Sequence, residues 1–209
     1  MLEELSNSIL ILRHTIQSSI PIYLMLIGIL VLVLVLNLLT HYRLSILGII
    51  PRNPFGIPGI ICAPFIHANF NHLFFNLIPL LVLTTFLLAY GVDFYWNITW
   101  ILIIYSGLLT WLFARPGIHV GASGLITAYW GFLVIEAYFS HSIFSIFAAF
   151  VCIYYFFGIF FGILPSQDRV SWEGHLFGLI AGVTTFLAGY YIPAIGVLLF
   201  QKPYLIPLI

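Results

Sequence analysis

Residues 20–40 read IPIYLMLIGILVLVLVLNLLT, an uninterrupted apolar run without a single charge and with Pro21 near its start. A helix crosses the hydrocarbon layer of a bilayer with about 20 mostly apolar residues, so this stretch alone predicts a membrane span. The rest of the chain carries the same signature. Of its 209 residues, 63% are hydrophobic and only 6% are charged, and the mean hydropathy is +1.17. A soluble domain needs roughly a quarter of its residues charged to solvate its surface, so that class is excluded. Disorder fails on the same figures, because it requires low hydrophobicity and high net charge. Six basic and six acidic residues cancel, which leaves no basic patch for nucleic acid.

Five further apolar runs follow, over about 70–90, 96–113, 121–139, 143–164 and 174–192. They stop at Gly91 and Asp93, at Arg115-Pro116-Gly117, beyond Glu136, at Pro165 and at Pro193. The runs are long and apolar on every side, whereas a membrane barrel shows short segments of strict alternation. Helices satisfy their own backbone groups in lipid. The expected fold is therefore all-α: a polytopic bundle of six transmembrane helices forming one membrane domain over residues 1–209. The first run is too long and too late for a cleaved leader. No internal repeat suggests inverted transporter halves. Cys62 and Cys152 lie in or near apolar segments and read as small buried hydrophobes. The longest connection, residues 41–66, holds four prolines and three glycines amid apolar residues. It reads as a folded loop half-sunk in the interface.

Polar residues are costly inside membrane helices and mark function by default. Three groups stand out. At the start of the second span, His72 and Asn76 are four apart and share a helix face, while His67 points elsewhere and is expected to tie the loop down by hydrogen bonds. At the start of the fourth span, Gly121-Ala-Ser123-Gly124 puts a serine among the first-turn N–H groups that lack an intrahelical acceptor. In the sixth, His175 sits above Gly178 and Gly182, small residues that let helices approach closely. Singly, each has a structural reading: an interhelical hydrogen bond, an interfacial histidine, or tight packing. All three spans are even-numbered, so their starts share one side of the membrane.

Together these segments resemble the rhomboid intramembrane serine proteases, whose hallmarks are matched as His67/His72/Asn76, Gly121/Ser123/Gly124 and Gly174/His175/Gly178/Gly182. The resemblance covers about 20–192. It implies a serine endopeptidase with Ser123 as nucleophile and His175 as base, and an oxyanion hole from the Ser123 N–H, Asn76 and His72. A serine hydroxyl needs a neighbouring base to become a nucleophile, and an acidic third member usually orients that base. None is evident, since Glu173 lies about 200° around the helix from His175. The family commonly places an aromatic four residues after the serine, against the histidine. Thr127 stands there instead, and its hydroxyl is the candidate orienter of His175. Gly121 is expected to leave room for substrate backbone beside Ser123, and Gly121, Gly124, Gly178 and Gly182 to pack the helices at the site.

The resemblance further implies transmembrane segments of other proteins as substrates, cleaved at an unwound position near small residues, in a polar cavity lined by Asn69, Asn71, His72, His119 and Ser123. No cofactor or metal is expected, and the bilayer is the other partner. The fifth span carries Phe144, Phe147, Phe150, Tyr154, Phe157 and Phe161 at steps of three and four, one aromatic stripe that reads either as packing and lipid contact or as a side gate. The expected location is a prokaryotic inner membrane with both termini in the cytoplasm. That topology puts Arg13 and Lys202 inside but Arg43, Arg52, Arg115 and Arg169 outside, against the usual bias.

Three rivals remain. A zinc protease could draw on His67, His72, His119 and His175, but the His-Glu-x-x-His helix is missing. An inactive relative that binds membrane clients would typically lack the serine or the histidine. A channel or transporter would show a charged ring or broken helices.

Overall fold

A computed structural model describes residues 2–161 and 172–200. Helix α1 (Leu2–Ser18) runs almost directly into α2 (Ile20–Leu39). Helix α1 does not read as a span, because Glu3, Glu4, Arg13 and His14 interrupt its apolar residues. Pro21 has no N–H to donate, so the α1 ladder ends there and α2 starts afresh. Along α2 the buried positions are Leu26, Leu30, Leu34 and Asn37, one stripe at helical spacing. Most of the remainder of α2 faces outward, as a lipid-bathed helix does, while the Tyr23 hydroxyl meets that of Thr85 on the next span at 2.9 Å.

The loop that follows is folded throughout. It makes 3-10 turns at Arg43–Leu47, Pro54–Gly56 and Ala63–Phe65 and a single α-turn, α3 (Gly59–Cys62). The Asn37 amide donates to Ser45 Oγ at 3.3 Å and to the His67 carbonyl at 3.2 Å, which moors the loop to α2. Ile49 and His119 exchange backbone hydrogen bonds of 2.9 Å each way, an isolated bridge and the only strand-like pairing among the described residues.

Beyond the loop come α4 (Phe70–Leu88), α5 (Val92–Phe113), α6 (Ser123–Ser140), α7 (Ile143–Phe161), α8 (Trp172–Tyr191) and α9 (Pro193–Phe200). Helices α2, α4, α5, α6, α7 and α8 occupy the six apolar runs; the stretch 162–165 lies outside the described residues. Three of them, α2, α4 and α5, are long and apolar enough to cross a membrane on those criteria alone among the described residues. The chain is a helical, multi-pass membrane bundle. At its centre, α6 is buried on all sides through Ile126, Ala128, Tyr129, Phe132 and Leu133, as expected for a helix apolar all round. Phe132 meets Phe186 of α8 edge-on, with centroids 5.6 Å apart.

The α6–α8 contact sets the geometry of everything near Ser123. A Cβ on Gly178 would overlap the Gly124 carbonyl oxygen and the Thr127 hydroxyl, and one on Gly182 would overlap the Ala128 carbonyl oxygen. The glycine track therefore brings two backbones into direct contact. On α7 the aromatic stripe divides. Phe144 and Phe147 pack against Phe86 of α4 at 6.0 and 6.1 Å, while Phe150 and Tyr154 stack on each other and stay exposed. The Phe161 side chain lies outside the described residues. Cys62 and Cys152 are both free thiols.

Candidate active site

Helix α4 starts with a side-chain cap. Asn69 Oδ1 accepts the His72 N–H at 2.8 Å, satisfying one first-turn donor and fixing where the helix begins. His72 and Asn76 then fall on its inward face. The Ala68 N–H donates to His72 Nδ1 at 3.4 Å, so a neutral His72 ring carries its proton on Nε2. That edge points at Gly121. A Cβ there would lie 2.7 Å from His72 Nε2 and 3.5 Å from Asn76 Nδ2, and Gly121 has φ +115°, a conformation open to glycine alone at little cost. The space expected for substrate beside Gly121 is thus filled by the His72 ring, and glycine lets two donors close on the serine turn. Asn76 is 8% exposed, and its Nδ2 has no hydrogen-bond partner among the described residues.

Ser123 is the first residue of α6, so its N–H is one of the four without an intrahelical acceptor. The Gly121 N–H donates to the Ala63 carbonyl at 2.9 Å, which anchors this turn to the folded loop. Across from it, a Cβ on Gly124 would sit 3.2 Å from the Gly174 carbonyl oxygen. The neighbours of Ser123 and His175 are therefore in van der Waals contact. Both side chains line one cavity of about 670 Å³, together with Asn69, Asn71, His72, Asn76 and His119. A smaller cavity of about 50 Å³ lies behind Ser123, with Ser106, Thr110 and His119 on its wall. At that volume it has room for water.

Thr127 Oγ1 donates back to the Ser123 and Gly124 carbonyls, both at 2.9 Å. Its proton is committed to its own helix, which leaves an acceptor lone pair as its only means of orienting His175.

Sequence reasoning missed the clamp beside the site. Arg115, in the turn leading to Ser123, pairs with Glu173, two residues before His175, and its guanidinium lies 5.5 Å from the Trp172 ring centroid. The partner carboxylate raises the Arg115 pKa further above its ordinary value. Glu173 is 3% exposed on its side chain, so the pair neutralises a charge that would be costly alone. An arginine in one loop and a glutamate heading another helix were the available signal. Arg52 has a similar office: its guanidinium donates to the Leu112 and Ala114 carbonyls at 3.0 and 2.8 Å, capping the negative end of α5.

His67 ties the loop down differently from expectation. Its carbonyl takes the bond from Asn37, while the ring is fully buried and meets His72 edge-on, 5.0 Å between centroids. Neither ring nitrogen has a partner among the described residues. Burial, with the neighbouring His72 adding to it, pushes the His67 pKa down to about 4. The folded value is below the unfolded one, so the unfolded chain binds the extra proton and stability falls as pH drops from 6.5 to about 4. The loss over that window is on the order of 3 kcal/mol. Thermal unfolding of the wild type in detergent should show this slope, and His67→Phe should flatten it. An equal slope in both would rule out His67 as the titrating group.

His119 is engaged elsewhere, with Nε2 3.0 Å from the Arg115 carbonyl. Among the described residues no three His, Cys, Asp or Glu side chains are grouped to hold a metal.

Comparison with known proteins adds the following. The Rhomboid domain family model matches residues 56–192. An uncharacterized protein of Mycobacterium tuberculosis is 37% identical over 177 residues, 80% of this chain and 72% of the relative. One from Mycobacterium bovis aligns with the same figures. Another, from Mycobacterium leprae, is 35% identical over 176 residues, covering 80% and 68% of the two chains. No solved structure matches.

Proposed function

The chain belongs to the rhomboid family of membrane proteins, and from that premise we propose that it is a serine endopeptidase cleaving the transmembrane segments of other membrane proteins. The observation that carries this reading is the shared cavity: Ser123, His175, His72 and Asn76, from three helices, line one space.

Ser123 Oγ attacks the scissile carbonyl carbon as its proton passes to His175. The resulting oxyanion takes hydrogen bonds from the Ser123 N–H, Asn76 Nδ2 and His72 Nε2, donors already in place before charge develops. An amide nitrogen held buried without a partner suits this task, because nothing must be broken before it donates. As the carbon–nitrogen bond breaks, His175 returns the proton to the leaving amine. Water then hydrolyses the acyl-enzyme, again with His175 as base. The substrate must arrive unwound, since a helical carbonyl is already hydrogen-bonded within its own helix. The bacterial relatives accord with an inner-membrane location.

The direct test treats purified protein in detergent with a fluorophosphonate and maps the adduct. Modification of Ser123, lost in His175→Ala, is the expected result; an intact Ser123 or an adduct elsewhere would overturn the reading. Asn76→Ala should slow cleavage of a reconstituted transmembrane substrate roughly 10²–10³-fold, in kcat rather than KM. An unchanged rate would remove Asn76 from the oxyanion hole.

A further inference from the structure

A third cavity opens toward the lipid-facing side between α2 and α5. Its volume is about 290 Å³, and its floor is made by Ala122, Leu125 and Tyr129 of the central bundle. Met25 and Trp100 stand on its rim and are exposed on the outer surface. The lining surface is apolar throughout; two hydroxyls of the wall, Thr99 and Tyr129, are turned on each other at 2.7 Å.

Water needs two to four polar partners to occupy a cavity, and an apolar space of roughly 150 Å³ stays dry and accepts benzene. This one is about twice that size and offers water nothing. Left empty, its walls would forfeit their dispersion contacts. In a chain that spans a bilayer, the material bathing Met25 and Trp100 is hydrocarbon. We propose that the cavity is a binding site for one acyl chain of a bilayer phospholipid, inserted between α2 and α5. Ala122 and Leu125, one residue before and two after Ser123, form its inner end, so the bound chain backs the turn that carries the nucleophile. The inference rests on the membrane topology and not on peptidase activity, so the two can fail separately.

The test reconstitutes the full chain in vesicles of phosphatidylcholine bearing a mid-chain diazirine, irradiates, and maps the adducts by mass spectrometry. Outward positions such as Val31 and Leu32 should be labelled by bulk lipid in every sample. Labelling of Leu125 or Tyr129, which are buried, is the specific expectation. Leu26→Trp, which fills the cavity from α2, should reduce it at least tenfold with outward labelling unchanged. Ile29→Phe, a milder filling near the rim, gives the same reading should Leu26→Trp not fold. Absence of inward adducts in the wild type overturns the proposal, as does inward labelling undiminished in a folded filling variant.

Discussion

Ser123→Ala and His175→Ala should each lower cleavage of a reconstituted transmembrane substrate by at least about 10⁴-fold, and the double variant should be no slower than either. Nucleophile and base act as one unit, so removing one forfeits what the other contributes; such losses are grossly non-additive. Two independent contributions would instead multiply. Ser123 and His175 both line the cavity and neither is fully buried. Thermal unfolding midpoints should therefore stay within a few degrees of the wild type. His119→Ala supplies the contrast. His119 lines the same cavity but is held by the Arg115 carbonyl, and its loss should cost less than about tenfold, consistent with support and not proton transfer. A His119→Ala defect equal to that of Ser123→Ala, with His175→Ala active, would reassign the base.

Much of this site could be read from sequence because a membrane makes polar residues conspicuous. Ser123, His175, His72 and Asn76 interrupt apolar runs where each polar group needs a reason, and their offsets from helix starts give their depth. The spans were legible for the complementary reason, that hydrocarbon demands long apolar segments. What escaped lies where this contrast is lost. Helix α1 mixes charges with leucines and isoleucines, so neither its existence nor its packing on the bundle stood out. Within residues 41–66, the turns follow from backbone bonds such as Ile49–His119 and from the Arg52 cap on α5, which link positions sixty to seventy residues apart. Two of the arginines that weigh against the expected orientation have local partners, Arg52 on helix-end carbonyls and Arg115 on Glu173; Arg169 and Lys202 lie outside the described residues. Gly121 reads in the sequence as room for substrate, whereas what requires a glycine there is the approach of His72 and Asn76, which no local pattern encodes.

Gly178→Val should be the most damaging substitution away from the reacting groups. Its Cβ would have to occupy the position of the Gly124 carbonyl oxygen and the Thr127 hydroxyl, and both belong to the first turns of α6, held by helix hydrogen bonds. The carbonyl cannot swing aside, and the Thr127 hydroxyl can turn only by giving up its bonds to the Ser123 and Gly124 carbonyls. Relief comes only by moving α8 away from α6, and two further contacts resist that, Gly182 on the Ala128 carbonyl and Leu179 on Gly131. Overpacking of a close-packed contact costs 1–3 kcal/mol and sometimes more; with main-chain atoms as the obstacle, a loss of about 3 kcal/mol or above is expected. For a chain of this length that lowers the unfolding midpoint by roughly 10 °C. The same displacement carries His175 away from Ser123, and misplacement by about 1 Å can cost 10²-fold in rate. Fluorophosphonate labelling of Ser123 should therefore fall on the order of 10²-fold at temperatures where the variant is still folded. Gly28→Ala is the matched control. Nothing lies within 4 Å of a Cβ there, and exchanging glycine for alanine within a helix favours the helix by up to about 1 kcal/mol. Its midpoint should hold or rise, with labelling unchanged. If Gly178→Val also kept its midpoint and its labelling rate, the helices would not touch at Gly178, and the geometry that brings His175 to Ser123 would have to come from elsewhere.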